Sequence, residues 1–159
     1  MPAKKSRKPS RSAARSAKPK VPRKKPRKQP ESFRVRQITP SITVNDLKKS
    51  IAFYTDGLGF LIDERWEQGG TLMGVMLKAG RATFALSQDN FAKGRDRVKG
   101  VGYRLWVYTA QDLAKLASRV KAFGVVLDRE PSDTWGDLSF DVTDPDGFQL
   151  TIVRDKARG

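Results

Sequence analysis

SITVNDLKKSIAFYTDGLGF, residues 41–60, holds a strand, a helix cap, a helix and a glycine stop in one run. Across residues 37–45, Ile38, Ile42 and Val44 fall on one face, and Thr39, Ser41 and Thr43 on the other. That two-residue period belongs to a strand with one buried side. Asn45-Asp46 then offers an N-cap, because a short polar side chain there satisfies the first free backbone N–H groups of a helix. Leu47, Ile51, Phe53 or Tyr54, and Leu58 form the apolar stripe, and Gly57 and Gly59 end it. Further on, residues 60–67, 72–78 and 82–87 read as strands, joined by turns at Gly69-Gly70 and Ala79-Gly80.

The same order returns in the second half, around LWVYTAQDLAKLASRVKAFGV at residues 105–125. A strand over 102–108 leads to Gln111-Asp112, which starts a helix ending at Phe123-Gly124. Strands over 125–129, 137–143 and 148–153 complete it, the last two joined by the turn DPDG at 144–147. The chain is therefore divided into half-units at about 36–87 and 101–154, with a polar, basic and mobile linker at 88–100. Each half is a βαβββ unit too small to close its core alone, so the two form one domain over 31–159.

Charge separates that domain from what precedes it. The chain has 159 residues with 32 Lys/Arg and 17 Asp/Glu. Residues 1–30 hold 13 of the basic residues and none of the acidic ones, leaving a net of only +2 for the rest. This proline-rich tail has no aromatic residue and cannot bury enough apolar surface to offset its ordering entropy, so it is expected to be disordered. Its composition resembles the tails of linker histones and bacterial histone-like proteins. Nonspecific, salt-sensitive contact with DNA, RNA or another polyanion through residues 1–30 is expected. No apolar run approaches the ~20 residues of a membrane span, so no membrane association is expected, and a cytoplasmic or nucleoid-associated location is. There is no cysteine and no histidine. Disulfides, thiolate chemistry, and Ser–His or Cys–His catalysis are thereby excluded, and no phosphate-loop or dinucleotide motif is present.

DLKKSIAFYTDGLGF at 46–60, DPDGFQLTIV at 144–153 and the duplication together resemble the vicinal oxygen chelate superfamily, which includes glyoxalase I, extradiol dioxygenases and bleomycin resistance proteins. The resemblance covers roughly residues 36–154. It implies an α+β fold of duplicated βαβββ units forming a cup-shaped mixed sheet with helices outside. With the apolar strand faces on the helices, alternation turns Thr39, Ser41 and Thr43 into the cup. It does the same for Thr83, Ala85 and Ser87, for Gly102, Arg104, Trp106 and Tyr108, for Ser139, Asp141 and Thr143, and for Gln149 and Thr151. An Arg104–Asp141 pair is expected among them. The superfamily's metal-ligand positions fall on Thr39, Ala85, Gly102 and Thr151. None is a competent ligand, so no metal, no cofactor and no glyoxalase or dioxygenase activity is expected.

Within the superfamily, LWVYTAQDL, TWGDLSFDVTDPDG at 134–147 and YTDGLGF at 54–60 are similar to metal-free bleomycin resistance proteins. That likeness implies a homodimer holding a flat ligand between aromatic rings, with contacts at Phe60, Trp106 and Trp135. Arg104 and Asp141 join them from the alternation, and Arg104 suits an anionic or neutral planar ligand better than a cationic one. Trp66 is expected at a sheet edge or dimer interface, and Phe53-Tyr54 in the core. No catalytic residue is assigned, and sequestration or sensing of a small organic ligand is the expected function. Two alternatives remain open. One is a metal-independent isomerase- or lyase-like enzyme, with Asp141 as a base raised by burial and Arg104 polarising a carbonyl. The other is a DNA-associated protein whose domain serves mainly dimerisation or ligand sensing.

Overall fold

The computed structural model describes residues 36–134 and 136–155. The tail at 1–30 and Trp135 lie outside the described residues. Strand β1 (Ser41–Val44) leads into α1 (Leu47–Ala52), whose turns loosen into a π-helical segment, Phe53–Gly57. Strands β2 (Leu61–Gln68), β3 (Thr71–Ala79) and β4 (Ala82–Gln88) follow. The second half repeats this with β5 (Arg104–Thr109), α2 (Leu113–Ala122), β6 (Arg129–Thr134), β7 (Asp137–Thr143) and β8 (Gln149–Arg154). The duplicated α+β reading thus holds. Among the described residues, eight strands form two mixed four-stranded sheets, ordered β1-β4-β3-β2 and β5-β8-β7-β6, in which the first strand of each half runs parallel to its last.

Local chemistry explains the boundaries. The Asp46 carboxylate accepts from the Lys49 amide at 3.0 Å, and Asp112 accepts from Ala114 at 2.9 Å, so both helices begin on an aspartate cap. The first helix stops where Gly59 takes φ +85°. From α2, Arg119 donates to the carbonyls of Asp56 (3.2 Å) and Thr55 (3.4 Å), placing a cation on the carbonyl end of the π-helical segment.

That contact is one of several that join the halves. Asp146 of the DPDG turn accepts from the Asn45 amide at 2.9 Å and from the Ser50 hydroxyl at 3.3 Å. The fully buried Tyr54 donates its hydroxyl to Asp144 at 3.0 Å. Ile42, Val44, Phe53, Leu77 and Leu86 of the first half share one apolar cluster with Leu113, Val120, Phe140, Leu150 and Ile152 of the second. Neither half closes this core by itself.

Two expectations need correction. The strand expected over 125–129 lies instead at Arg129–Thr134. Val125 and Leu127 pack against the core while the chain crosses from α2 to the sheet edge, and pairing begins only at Arg129 opposite Asp141. The polar segment REPSDT conceals this strand because it has no apolar alternation, and Pro131 is tolerated there because β6 is an edge strand. The linker at 88–100 is tied rather than free. Buried Asp89 donates its amide to the Val44 carbonyl at 2.8 Å. Its carboxylate accepts from the Phe91 amide (2.8 Å) and meets Arg97 (2.9 Å) and Lys99 (2.6 Å).

Candidate functional site

The open face of the second sheet is assembled by register. Arg104, Trp106 and Tyr108 alternate along β5 with Leu105 and Val107, and the last two pack against the core. The first three therefore project to the other side. Trp106 lies opposite Thr151, Thr151 opposite Asp141, and Asp141 opposite Arg129, making one continuous row across four strands. Next to it runs Tyr108, Val153, Ser139 and Ser132. These two rows apart from Ser132, with Arg104 at one end and Thr134 and Asp137 at the other, line a cavity of about 410 Å³.

Asp141 is the hub of the cavity floor. Arg129 donates through Nε to Oδ2 at 2.9 Å and through Nη2 to Oδ1 at 3.2 Å. The Thr151 hydroxyl donates to Oδ1 at 2.8 Å and accepts from Arg104 Nη1 at 2.8 Å. Arg104 Nη2 donates to Gln149 at 2.6 Å, and its nearest approach to Asp141 is 3.6 Å. The expected Arg104–Asp141 pair is thus secondary to a fork between Arg129 and Asp141. Arg129 further donates to Ser132 (2.8 Å), Thr134 (3.0 Å), the Ser139 carbonyl (3.1 Å) and the Ser139 hydroxyl (2.9 Å). Partial burial pushes the Asp141 carboxyl up, but bonds from Arg129 and Thr151 and the charges of Arg129 and Arg104 outweigh it. The carboxyl is held below its ordinary range. A base raised by burial, as the enzyme alternative requires, is not what this environment produces.

The other site residues named from sequence separate into groups. Arg104, Trp106, Asp141 and Thr151 come together at the cavity. Phe60 does not: its ring stands edge-on to Tyr54 at 5.9 Å and to Phe84 at 5.6 Å, in the aromatic cluster on the core side of the first sheet. The reason is that Phe60 leaves the helix directly over that cluster, with its amide on the Tyr54 carbonyl at 2.9 Å. Trp135 lies outside the described residues. Trp66 sits on the edge strand β2, opposite Gly74 and against the space where a side chain at Gly74 would stand. Arg129 escaped the sequence reading because alternation over 125–129 groups it with Val125 and Leu127 on the inner face. Pairing begins only at Arg129, opposite Asp141, so the alternation over 125–128, which lies before the strand, does not set its face.

A metal of the kind the fold often holds finds no donor set at the expected positions. Thr39 accepts from Gln37 at 2.8 Å just before β1, and Ala85 offers a methyl group. Gly102 occupies a turn at φ +71° with no side chain, and the Thr151 hydroxyl is committed to Asp141 and Arg104. Among the described residues no group of three or more His, Cys, Asp or Glu stands together. No helix of the described residues is long and apolar enough to cross a membrane.

Solved structures share this architecture. TnmS3, an antibiotic binding protein from Streptomyces sp. CB03234, is 18% identical with a TM-score of 0.57, over 77% of this chain and 98% of its own. Lactoylglutathione lyase from Agrobacterium tumefaciens is 18% identical with a TM-score of 0.57, over 79% of this chain and 98% of its own. The hypothetical protein SA1046 from S. aureus is 20% identical with a TM-score of 0.61, over 77% of this chain and 95% of its own. At such identities the likeness is one of fold alone. No curated protein matches the sequence. The family model matches residues 34–152, most of the chain and both βαβββ units, and the protein belongs to the Glyoxalase/Bleomycin resistance protein/Dioxygenase superfamily.

Proposed function

We propose that this protein is a metal-free small-molecule-binding member of its superfamily, which sequesters or senses a partly planar organic ligand on the open face of β5, β8, β7 and β6. One observation carries the reading. Trp106 is 51% exposed and Tyr108 62% exposed, side by side above a cavity whose polar floor is already hydrogen-bonded to itself. Large aromatics left in solvent at a concave surface favour a flat partner, and a pre-satisfied floor positions it without rearrangement. The antibiotic-binding description of TnmS3 agrees with such a use of the fold. The missing histidines and the lack of a competent donor set at Thr39, Ala85, Gly102 and Thr151 support the metal-free part.

A catalytic role for Asp141 is disfavoured, because a carboxylate forked by Arg129 and held below its ordinary range is a poor proton acceptor. Homodimerisation belongs to the proposal as well. The largely exposed strand β2, with Leu61 70% and Trp66 36% accessible, supports it. Residues 1–30 add nonspecific polyanion affinity, on the strength of 13 basic and no acidic residues.

The test is a tryptophan-fluorescence titration of the full chain against a bleomycin, planar aromatic acids and a divalent-metal control, repeated with Trp106→Phe. Saturable quenching by one organic class, lost in the variant, is expected. No response to any organic compound would overturn the binding reading. A metal-dependent response would overturn its metal-free part.

A further inference from the structure

The charges around the cavity are unequally committed, and this deepens the proposed binding function, on which the inference rests. Asp141 spends both oxygens on Arg129 and Thr151. Arg129 in turn directs Nε, Nη1 and Nη2 to Asp141, Ser132, Thr134 and Ser139. These two ions neutralise each other and have little left for a ligand. Arg104 differs. Its two hydrogen bonds go to the neutral oxygens of Thr151 and Gln149, and its ion pair with Asp141 is a long one, 3.6 Å against 2.9 Å for Arg129. A guanidinium carries five N–H donors, so most of those on Arg104 remain open. Its side chain is 38% exposed, on the same strand face as Trp106 and Tyr108.

The other acidic groups on this face stand away from it. Asp137 lies four positions along β7 from Asp141, about 13 Å at strand rise. Asp128 accepts from Thr143, which lies in the row of Arg104 but two strands across, beyond Gln149, about 10 Å at strand spacing. One end of the cavity is therefore cationic and its middle is aromatic. Residues two apart on a strand are separated by about 7 Å, so a carboxylate on Arg104 would lay an attached ring system across Trp106 and toward Tyr108.

We infer that the preferred ligand class is the planar aromatic monoanion, with its carboxylate or equivalent acid on the Arg104 guanidinium and its rings on Trp106 and Tyr108. The fork geometry of arginine suits a carboxylate, and a charge-assisted bond exceeds a neutral one.

Isothermal titration calorimetry on the full chain tests this with three matched probes: 2-naphthoate, 2-naphthamide and 2-naphthylmethylammonium. The acid is expected to bind roughly tenfold or more tightly than the amide, and the cation most weakly. Arg104→Gln is expected to lower acid affinity to that of the amide, abolishing the preference, and Arg104→Lys to restore part of it. The basic tail is the same in every variant, so a preference for the acid over the amide that survives Arg104→Gln reflects the tail and overturns the assignment to Arg104. Equal binding of acid and amide by the unaltered chain overturns the anion preference and leaves the planar-ligand reading standing. Failure of all three probes to bind overturns the reading itself.

Discussion

Tyr54 is fully buried yet carries a hydroxyl, so its environment must supply a partner, and Asp144 does. Burial first, and then the neighbouring carboxylate, push the phenol strongly upward, so it acts only as a donor. Burial also raises the Asp144 carboxyl, against amide bonds from Phe148 and Asp146 and the Tyr54 hydroxyl, which favour its charged form. Tyr54→Phe should cost about 1–3 kcal/mol at neutral pH. A raised carboxyl destabilises the fold as pH climbs through its folded value, and the lost hydroxyl had offset part of that. The loss should therefore shrink in acid, where Asp144 is protonated. Urea unfolding of both proteins at neutral and acid pH measures it. Tyr54 was placed in the core by the helical stripe, but its partner, 90 residues on, carries no mark in either local sequence.

The linker and the DPDG turn form the tightest joint among the elements. A side chain at Gly100 would collide with the Gly147 carbonyl, at φ +73°, so backbone touches backbone there. Gly100→Ala should cost about 3 kcal/mol or more, because neither strand of main chain can yield. Gly102→Ala, at φ +71° in open space, should lose only about 1–2 kcal/mol of left-handed strain. Thermal melts of the pair separate crowding from backbone conformation. The Asp89 clamp on the same linker is acid-sensitive. The Lys99 bond, foremost, together with the Phe91 amide, lowers the Asp89 carboxyl from 3.8 to about 2. A lowered carboxyl contributes its stability above the unfolded value and loses it as pH falls through the folded one. The wild type should lose this contribution between about pH 4 and pH 2, whereas Asp89→Asn should lack that part of the acid transition at every pH. Denaturant midpoints across that range measure it. Gly100 and Asp89 look in sequence like ordinary parts of a polar, basic loop. The role of Gly100 appears only once the DPDG turn packs against it, and that of Asp89 only once Arg97 and Lys99 fold back onto it.

Across the whole molecule, the excess of basic over acidic charge is concentrated in residues 1–30, and the proposed ligand face lies in the second half of the domain. The two proposed activities should therefore separate. Deleting residues 1–30 is expected to abolish retention on duplex DNA at low salt and to leave small-molecule binding unchanged, as read by filter binding and calorimetry on the same preparations. DNA retention by the shortened chain would place polyanion affinity in the domain instead. Sedimentation at rising concentration tests the proposed dimer. A monomer throughout would leave the exposed strand β2 without its expected partner.

Hydrophobic alternation, two aspartate caps and glycine stops determined the duplicated βαβββ order, because these signals act over a few residues and need no distant partner. They also turned Arg104, Trp106 and Tyr108 to one face. The absence of histidine alone ruled out the commonest metal donor of the fold. Tertiary structure decided what a period of two cannot encode: the polar strand β6, the outward turn of Arg129, and the retreat of Phe60 into the aromatic core. Each depends on register or packing against a segment remote in sequence. The charge at the site follows the same rule, since Asp141 is held most closely by the Arg129 opposite it on β6, at 2.9 Å, and Arg104 keeps only a longer ion pair with it at 3.6 Å.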